Sequence, residues 1–371
     1  MTPKEKVHQL FSRAGVTIDG PRPFDVRIHD ERVFGRILSG GTLAAGESYM
    51  EGLWDCTAID ELVARLLAAR VDRSFQFDLE ALTYIIASRF KNLQSKKRAS
   101  QVADAHYDKH DPIIRGFVGK PVVYTCGYWK DARTLPEAQI AKLDLVCRKI
   151  GLKPGDHILD IGCGYGAFAK YAAEKYGASV VGTTISSKGQ IAFAKEHTRG
   201  LPVEIRSEDY RDTKGKFDHI VSIGMFEAVG PKNFRTYFEK AAELLKDDGI
   251  FLLHTIGGPR SVNTTDPWIH KYIFPNGVLP SESQIRRAVD GVFAIKDWHR
   301  FGKDYDKTLM AWMKNLDGRA SSIKQMYGDT DYRMWRYYLL SCAGSFRAGL
   351  NDLWQIALVK PGNHSAYTPV R

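Results

Sequence analysis

The segment ILDIGCGYG, residues 158–166, decides the fold of this 371-residue chain. It ends an apolar strand, makes a turn and opens a helix that is predicted over residues 167–174. Gly162 and Gly164 let the backbone approach a ligand closely, and the first N–H groups of the helix are free to bind a carboxylate. The segment therefore predicts a cofactor site at the carboxyl end of a strand.

Short apolar runs alternate with amphipathic helices from residue 153 onward, which is typical of βαβ units and a parallel sheet. Strands are predicted at 157–160, 179–182, 203–206, 217–222, 250–255, 293–298 and 353–360, with helices that include 232–246, 304–315 and 332–350. The pattern predicts an α/β fold with a seven-stranded Rossmann-like sheet. Such sheets bind ligands at the carboxyl ends of their strands.

The residues beside the glycine turn favour S-adenosylmethionine over a nicotinamide dinucleotide as the cofactor. Asp160 precedes the turn, where its carboxylate can reach a cationic amino group. A dinucleotide site would place an acidic residue at the tip of the second strand, but this chain has Gly182, Thr183 and Thr184 there. Together with the strand pattern, these residues indicate a methyltransferase fold.

Other cofactor contacts are predicted after the second and third strands. Thr183, Thr184 or Gln190 would contact the ribose hydroxyls. Glu208 and Asp209 follow the third strand, where the adenine ring would lie, and either carboxylate can accept a hydrogen bond from its exocyclic amine. The alternative for these two residues is an ordinary charged loop in contact with solvent.

Residues 1–105 are predicted to form a smaller, mostly helical N-terminal domain, and residues 106–371 the catalytic domain. Apolar residues recur at helical spacing over 62–71 and 79–90, and short extended pieces are expected near 24–28. The second helical run ends in a basic cluster, so it either lies on a membrane surface or packs in the core with a solvated tip. That cluster consists of Lys91, Lys96, Lys97 and Arg98.

Composition limits the compartment and the partners. No apolar stretch is long enough to cross a bilayer, and residues 1–15 form a charged amphipathic pattern rather than a signal peptide, so we expect a cytoplasmic protein. Five scattered cysteines predict reduced thiols and no structural zinc. The net charge of +10 favours an anionic partner, either nucleic acid or phospholipid, unless it serves only solubility.

Four further segments have unusual residues for their positions. Tyr124 and Thr125 begin the uncharged aromatic segment YTCGYW at 124–129, just before the core, and are predicted to contact the cofactor there. Glu227 follows the fourth predicted strand and His254 closes the fifth, so both lie next to an expected edge of the cofactor. The fourth segment, DYD at 304–306, opens a later helix. Taken singly, residues of these types are usually structural.

Taken together, the segments resemble the cyclopropane-fatty-acid synthase family of methyltransferases. The likeness covers nearly the whole chain and rests on GESYMEGLWD (46–55), NLQSKKRA (92–99), YTCGYWKDA (124–132), LDIGCGYG (159–166), GMFEAVGPKN (224–233), FLLHTIG (251–257), KYIFPNG (271–277), DYDKTLMAW (304–312) and CAGSFR (342–347). The resemblance implies a bacterial enzyme that adds a methylene group from S-adenosylmethionine across the cis double bond of an acyl chain in a membrane phospholipid. It also implies a homodimer, associated peripherally with anionic phospholipid at the inner membrane surface.

The resemblance further implies how the reaction is catalysed. The base is a bound bicarbonate ion, held by residues that match Cys126, Glu227, His254, Ile256 (through its backbone) and Tyr305. Glu227 would accept the bicarbonate proton, while His254 and Tyr305 would donate to its oxygens. Cys342 falls in another matching segment as a candidate nucleophile. However, transfer from a sulfonium to an alkene gains nothing from a thiolate, and a cysteine in an apolar helix is usually core.

This chemistry also accounts for several aromatic residues. An alkene is a poor nucleophile, so the sulfonium must be held in line in a dry pocket where water does not trap the carbocation. Aromatic faces that stabilise such a cation are expected from Tyr128, Trp129, Phe274 and Tyr305.

The sequence departs from the family at two places and leaves other functions open. The family commonly has His where this chain has Ala228, and HYDLGN where this chain has HYDKHD at 106–111, which bears on how the acyl chain is admitted. The alternatives are formation of a methyl-branched lipid, methylation of a small amine, action on nucleic acid, and noncatalytic lipid binding. No base-flipping motif or nucleic-acid module is recognisable, so we expect no nucleic-acid partner. The complete glycine loop and polar set disfavour a noncatalytic protein.

Overall fold

The computed structural model describes residues 1–71, 92, 94, 110–185, 187–363 and 366–371. The chain divides into two compact units, the first formed by 1–91, 263–276 and 305–351, and the second by 92–262, 277–304 and 352–371. The predicted domain boundary at residues 105 and 106 lies outside the described residues and stays a prediction. The structure adds two later segments of the chain to the first unit.

Both units contain helices, and the second also contains a large sheet. In chain order, the elements are α1 (Pro3–Arg13), β1 (Arg27–Ile28), α2 (Arg32–Met50), β2 (Trp54–Asp55), α3 (Ile59–Ala68), α4 (Leu135–Lys149), β3 (His157–Ile161), α5 (Ala167–Tyr176), β4 (Ser179–Thr183), α6 (Lys188–His197), β5 (Val203–Arg206), β6 (Phe217–Ile223), α7 (Phe234–Leu244), β7 (Leu245–Gly257), α8 (Pro267–Tyr272), α9 (Glu282–Val289), β8 (Ala294–Arg300), α10 (Lys303–Asp317), α11 (Ala320–Tyr327), α12 (Asp329–Arg347) and β9 (Asp352–Val359). Residues 110–118 are also helical, and a 3₁₀ turn covers Phe226–Ala228.

The second unit is built on a seven-stranded sheet in the order β5-β4-β3-β6-β7-β9-β8. The strands from β5 to β7 pair in parallel, and β9 pairs antiparallel with both β7 and β8. This confirms the predicted Rossmann-like sheet. Strand β7 begins at Leu245 rather than at residue 250, because Leu245 and Ile250 both pair with β6 while the polar residues 246–249 between them interrupt the apolar pattern.

Helices cover both faces of the sheet, as a mostly parallel sheet requires. Phe238 of α7 and Ile285 of α9 belong to the buried core on one face. Val146 of α4 and Phe168 of α5 belong to the core on the other face. The carboxyl ends of β3, β4 and β6 therefore lie along one edge of the sheet, where the loops that follow them can share a site.

The first unit is mostly helical. Helix α1 begins at a capping box formed by Thr2 and Glu5, and it buries apolar residues on one side. Strand β1 pairs with β2, in agreement with the extended pieces predicted near residues 24–28. The predicted helix at 79–90 and its basic end lie outside the described residues. In the part of the chain that the structure describes, no helix is long and apolar enough to cross a membrane.

Helices α12 and α3 of the first unit cross closely at Gly344. A Cβ atom at this position would lie 2.4 Å from the carbonyl oxygen of Asp60 and 2.9 Å from Cβ of Val63. One turn later, Arg347 donates to Asp60 Oδ2 at 2.6 Å and to Asp306 Oδ1 at 2.9 Å. The crossing therefore depends on a residue without a side chain beside an arginine that joins three helices.

We expect Gly344→Ala to destabilise the protein by about 2 kcal/mol, although alanine is the better helix former by about 1 kcal/mol, because overpacking against a backbone costs more. Gly35→Ala is the matched control, since Gly35 also lies in a helix but a Cβ there meets no atom within 4 Å. That variant should be more stable by about 1 kcal/mol. Urea unfolding followed by circular dichroism measures both, and equal effects of the two changes would contradict the packing argument.

Candidate active site

The glycine loop connects β3 to α5 and leaves space in front of its backbone. Gly162 has φ +81°, and a Cβ there would lie 2.5 Å from Cγ of Met225. Gly164 has φ +55°, and a Cβ there would meet no atom within 4 Å. Tyr165 is held from the other side, because its hydroxyl donates to Asp111 Oδ1 at 2.6 Å. The loop therefore has the open concave backbone that a cofactor needs.

Three buried polar atoms lie around this loop without a hydrogen-bond partner among the described residues. They are Asp160 Oδ2 at the end of β3, Thr183 Oγ1 at the end of β4 and Gln190 Oε1 in the first turn of α6. Buried polar groups are normally paired, so these atoms indicate a polar ligand. An ammonium group and ribose hydroxyls match them, and the site thus fits S-adenosylmethionine. Thr184 is also buried here.

The two acidic residues predicted near the adenine ring already have protein partners. Asp209 Oδ1 accepts from Nε of Arg211 at 2.7 Å, and its Oδ2 accepts from the same guanidinium at 2.7 Å. Glu208 Oε1 accepts from the hydroxyl of Thr213 at 3.0 Å. Each carboxylate still has lone pairs for one more donor, so their contact with adenine stays a prediction.

The aromatic segment 124–129 is fastened to helix α4. Gln139 Nε2 donates to the carbonyl oxygen of Thr125 at 2.8 Å, and Lys142 Nζ donates to Thr125 Oγ1 at 3.1 Å. Gly224, after β6, has no side chain to keep Thr125 away, since a Cβ there would lie 2.5 Å from Cγ2 of Thr125. These contacts bring Thr125 to the carboxyl end of β6. Tyr124 packs edge-on to Phe117 at 5.8 Å.

The Glu227 carboxylate accepts a hydrogen bond that a strand carbonyl would otherwise accept. The N–H of Gly224 donates to the carbonyl of His254 at 2.9 Å, and with φ +67° the chain then leaves the sheet. In a continued parallel pairing the Ile256 N–H would next donate to a β6 carbonyl. It donates instead to Glu227 Oε1 at 2.6 Å. Burial raises the pKa of the Glu227 carboxyl, and the Ile256 N–H opposes that shift.

His254 is buried as a neutral imidazole. Gln355 Nε2 on β9 lies 3.2 Å from His254 Nδ1, and with this amide donating, the ring proton is on Nε2. Burial lowers the pKa of His254 well below its usual value, and the charge of Lys142 adds to the effect. The Nε2 atom of His254 has no hydrogen-bond partner in the described part of the chain. The Nε2–H group of His254 is therefore a hydrogen-bond donor in a fixed orientation.

Glu227 and His254 each carry one unpaired buried atom near the carboxyl ends of β6 and β7. Ile223 pairs with His254 in the sheet, so the chain reaches Glu227 only a short turn after that rung. Oε2 of Glu227 is buried and, among the described residues, has no hydrogen-bond partner. One unpaired acceptor and one unpaired donor suit a small ion that both donates and accepts. Cys126 is fully buried in the same unit, with its Sγ 3.1 Å from the Gly127 carbonyl.

The backbone of Ile256 already has partners within the protein. Its N–H donates to Glu227 Oε1 and its carbonyl accepts from Thr255 Oγ1 at 3.1 Å, so Ile256 positions the Glu227 carboxylate. The physical reason is that β7 extends beyond β6, which leaves this N–H to be satisfied by a side chain. The contact of this backbone with bicarbonate that the resemblance implies stays a prediction.

Aromatic residues in the second unit lie near His254. Phe301 lies 5.4 Å from the ring of Tyr128 and 6.0 Å from that of His254. Phe301 was not predicted from the sequence. The Trp129 N–H donates to Asp304 Oδ2 at 2.7 Å, which fixes the end of the aromatic segment.

Three predicted residues belong to the first unit. Tyr305 packs against Phe346 at 4.6 Å, and Phe274 lies 6.0 Å from Tyr338. Burial raises the pKa of the Cys342 thiol to about 12, with the Asp266 carboxylate adding to the effect. The thiol is therefore protonated at neutral pH, which argues against a nucleophilic thiolate.

Sequence reasoning missed three polar residues that support the site. Gln139 and Lys142 lie three positions apart on the buried side of α4, and Gln355 lies within the apolar strand β9. A polar residue on an otherwise apolar face was the available signal, because such a residue must find a partner inside the protein. No group of three or more His, Cys, Asp or Glu suited to a metal ion occurs in the part of the chain described here.

The family model for mycolic acid cyclopropane synthetase matches residues 94–356. The chain belongs to this family of S-adenosylmethionine-dependent methyltransferases. It is 46% identical over 349 residues to the cyclopropane-fatty-acyl-phospholipid synthase of Escherichia coli (strain K12), covering 94% of this chain and 91% of that relative. The predicted family and methyltransferase class are thereby confirmed.

Solved structures of this family and of a related enzyme superimpose on the chain. A mycolic acid cyclopropane synthase complexed with S-adenosylhomocysteine and CTAB gives a TM-score of 0.65 at 33% identity, covering 70% of this chain and 98% of that one. A coclaurine N-methyltransferase bound to N-methylheliamine and S-adenosylhomocysteine gives 0.69 at 25% identity, covering 85% and 98%.

Substitutions in the glycine loop should separate folding from cofactor binding. We expect Gly164→Ala to fold with a loss of about 1 kcal/mol, from left-handed backbone strain, and to bind S-adenosylhomocysteine about tenfold more weakly because its methyl group enters the open space. Gly162→Ala should in addition lose more stability, since its Cβ overlaps Met225.

Gly151→Ala is the matched control for these two variants, because Gly151 has φ +64° and open space around its Cβ but lies outside the loop. Calorimetric titration with S-adenosylhomocysteine and thermal unfolding measure the two effects. If Gly164→Ala binds as tightly as Gly151→Ala, the loop does not hold the cofactor.

Proposed function

We propose that this enzyme transfers a methylene group from S-adenosylmethionine to the cis double bond of an unsaturated acyl chain in a membrane phospholipid, forming a cyclopropane ring. The single observation that carries the proposal is that Glu227 Oε2, after β6, and His254 Nε2, on β7, are both buried without a partner among the described residues. Methyl transfer to an amine also releases a proton, but from the amine nitrogen rather than from the transferred methyl group. Ring closure requires removal of a proton from the transferred methyl group, and a base must act inside the protein.

The base is proposed to be a bicarbonate ion. Glu227 Oε2 would accept its proton, His254 Nε2–H would donate to one of its oxygens, and buried Cys126 would line the same site. Tyr305, which the family resemblance adds, lies in the first unit and stays a prediction. When bound, S-adenosylmethionine supplies an electrophilic methyl group and bicarbonate supplies a weak base.

The residues of the chain would do the rest by position. The Ile256 N–H orients Glu227, and the Gln355 amide keeps the His254 proton on Nε2. Phe301 and Tyr128 supply apolar faces that exclude water and stabilise positive charge on the acyl chain. No side chain needs to become a covalent nucleophile, in accord with the protonated thiol of Cys342.

The substrate is proposed to reach the enzyme from an anionic membrane surface. The net charge of +10 favours such a surface, and contacts of this kind weaken with salt. We therefore propose a cytoplasmic protein that binds the inner membrane surface peripherally as a homodimer. Residues 1–105 would form the membrane-associating domain, and residues 106–371 the catalytic domain.

Glu227→Gln should lower turnover by about a hundredfold or more while leaving affinity for S-adenosylhomocysteine within about twofold. Burial raises the pKa of Glu227, so in the folded protein its ionisation costs stability that is felt as pH rises through that pKa. Glutamine removes this cost. The melting temperature of the variant should therefore exceed that of the parent by an amount that grows with pH.

Glu239→Gln is the control for this change, because Glu239 is an exposed residue of α7 paired with Arg235. Turnover is measured on phospholipid vesicles, affinity by calorimetry and stability by thermal unfolding. Unchanged turnover in Glu227→Gln would remove this carboxylate from the mechanism.

The proposed reaction is tested on anionic vesicles of a monounsaturated phospholipid with trideuteromethyl-labelled S-adenosylmethionine, with and without bicarbonate. A cyclopropane product gains one carbon, loses its alkene signal, shows high-field ring protons and keeps two of the three deuterium atoms. Its formation should slow when bicarbonate is removed or salt is raised. Mass spectrometry and proton NMR provide the readout.

Other products would overturn the proposal in distinct ways. A product that keeps all three deuterium atoms on a branching methyl group indicates a methyl-branched lipid. If no lipid is labelled while the cofactor still binds, the substrate must be sought among small amines and nucleic acids. Equal rates on zwitterionic vesicles would contradict the anionic membrane partner.

A further inference from the structure

Helix α4 carries two lysines whose side chains are almost completely buried. Lys142 is 1% exposed and Lys149 is 2% exposed. Lys149 has a carboxylate partner, since its Nζ lies 3.6 Å from Asp297 Oδ2 and 3.0 Å from His299 Nδ1. Lys142 forms no ion pair with a described carboxylate, and its hydrogen bond goes to the hydroxyl of Thr125. A buried ammonium without a counter-ion is costly, so its presence needs an explanation.

The hydrogen bond from Lys142 determines which way the Thr125 hydroxyl acts. An ammonium group can only donate, so Thr125 Oγ1 is the acceptor at 3.1 Å. The hydrogen of that hydroxyl must then point to another acceptor, and none occurs among the described residues. Because Gln139 fixes the Thr125 carbonyl as well, the hydroxyl becomes an oriented donor at the edge of the cofactor site.

The charge of Lys142 acts on the residues at both ends of the site. Asp160 is 2% exposed, its Oδ2 has no partner in the described part of the chain, and Lys142 is the cation whose charge opposes the effect of burial on its ionisation. The other titratable groups that face Lys142 are Cys126 and His254. Asp160 in turn faces Cys163 and Tyr237. Burial lowers the pKa of Lys142 to about 7, and the charges of Cys126 and Asp160 oppose that shift, so Lys142 is the cation among these residues at and below neutral pH.

We propose that Lys142 is a positioning residue of the cofactor site, which orients the Thr125 hydroxyl as a donor and keeps the Asp160 carboxylate ionised for the ammonium group of the cofactor. This inference deepens the proposed function, on which it rests only for the identity of the cofactor. Lys142 acts through its two neighbours, Thr125, to which it donates a hydrogen bond, and the buried Asp160.

The test is the affinity of the intact protein for S-adenosylhomocysteine as a function of pH, in the parent and in Lys142→Met. Burial raises the pKa of Asp160 to about 7, and loss of Lys142 raises it further. Below that pKa the carboxyl is neutral, and binding of an ammonium group must release a proton. Affinity should therefore rise with pH, and in the variant this rise should occur at higher pH than in the parent.

We expect Lys142→Met to bind about fivefold more weakly than the parent at about pH 7, for a shift of about one pKa unit, with the difference shrinking toward about pH 9. A smaller loss that does not vary with pH should remain, because Thr125 is no longer oriented. Lys142→Arg keeps the charge and should restore the affinity of the parent at about pH 7. Thermal unfolding verifies that each variant is folded.

Three further variants show whether Lys142 acts through Thr125, through Asp160 or through both. Thr125→Val should show the pH-independent loss alone. In an Asp160→Asn background, Lys142→Met should leave the pH profile unchanged, because the carboxyl that titrates is absent. Lys149→Met is the matched buried-lysine control from the same helix, and it should bind like the parent.

Two results would overturn the proposal. One is that Lys142→Met binds S-adenosylhomocysteine as tightly as the parent across the pH range. The other is that Lys149→Met loses as much affinity as Lys142→Met. Both measurements use S-adenosylhomocysteine without lipid. A failure to form cyclopropane lipid would therefore leave this test unaffected, and a failure here would leave the lipid product to be assayed separately.

Discussion

Strand β7 runs past the end of β6, and this offset leaves the Ile256 N–H without a strand partner on that side. The Ile256 N–H donates instead to Glu227 Oε1, at 2.6 Å. The same offset places His254 at the last rung of the β6 pairing, opposite Ile223, with Gln355 of β9 on its other side. The need to satisfy one backbone hydrogen bond thus orients the Glu227 carboxylate, a short turn after the rung that holds His254.

Several polar atoms of the site are buried without a partner, although leaving a buried polar atom unpaired lowers the stability of the folded protein. Asp160, Glu227 and His254 each carry one buried atom without a partner among the described residues. Each such atom costs free energy of folding, about 1–3 kcal/mol for an unsatisfied group. The surrounding sheet, with helices on both faces, supplies the stability that this arrangement removes. The cost is recovered when a ligand brings the missing donors and acceptors.

Close backbone contacts connect the loops that carry these atoms. Gly162 faces Met225 and Gly224 faces Thr125, each at a distance that leaves no room for a Cβ. The glycine loop, the segment after β6 and the aromatic segment before α4 therefore pack as one layer at the carboxyl edge of the sheet. Helix α4 adds to this layer through Gln139 and Lys142, which both donate hydrogen bonds to Thr125.

The sequence alone determined the strands, the glycine loop, the cofactor class and the family, because alternating apolar runs and long motifs are local in the chain. It also predicted Glu227 and His254 as site residues. The tertiary structure decided what local patterns do not contain. The Ile256 N–H donates to Glu227, the Gln355 amide contacts His254 Nδ1, and Lys142 donates to Thr125. These roles arise from partners that are distant in sequence, because a buried polar atom takes whichever partner the packing of strands and helices brings within hydrogen-bond distance.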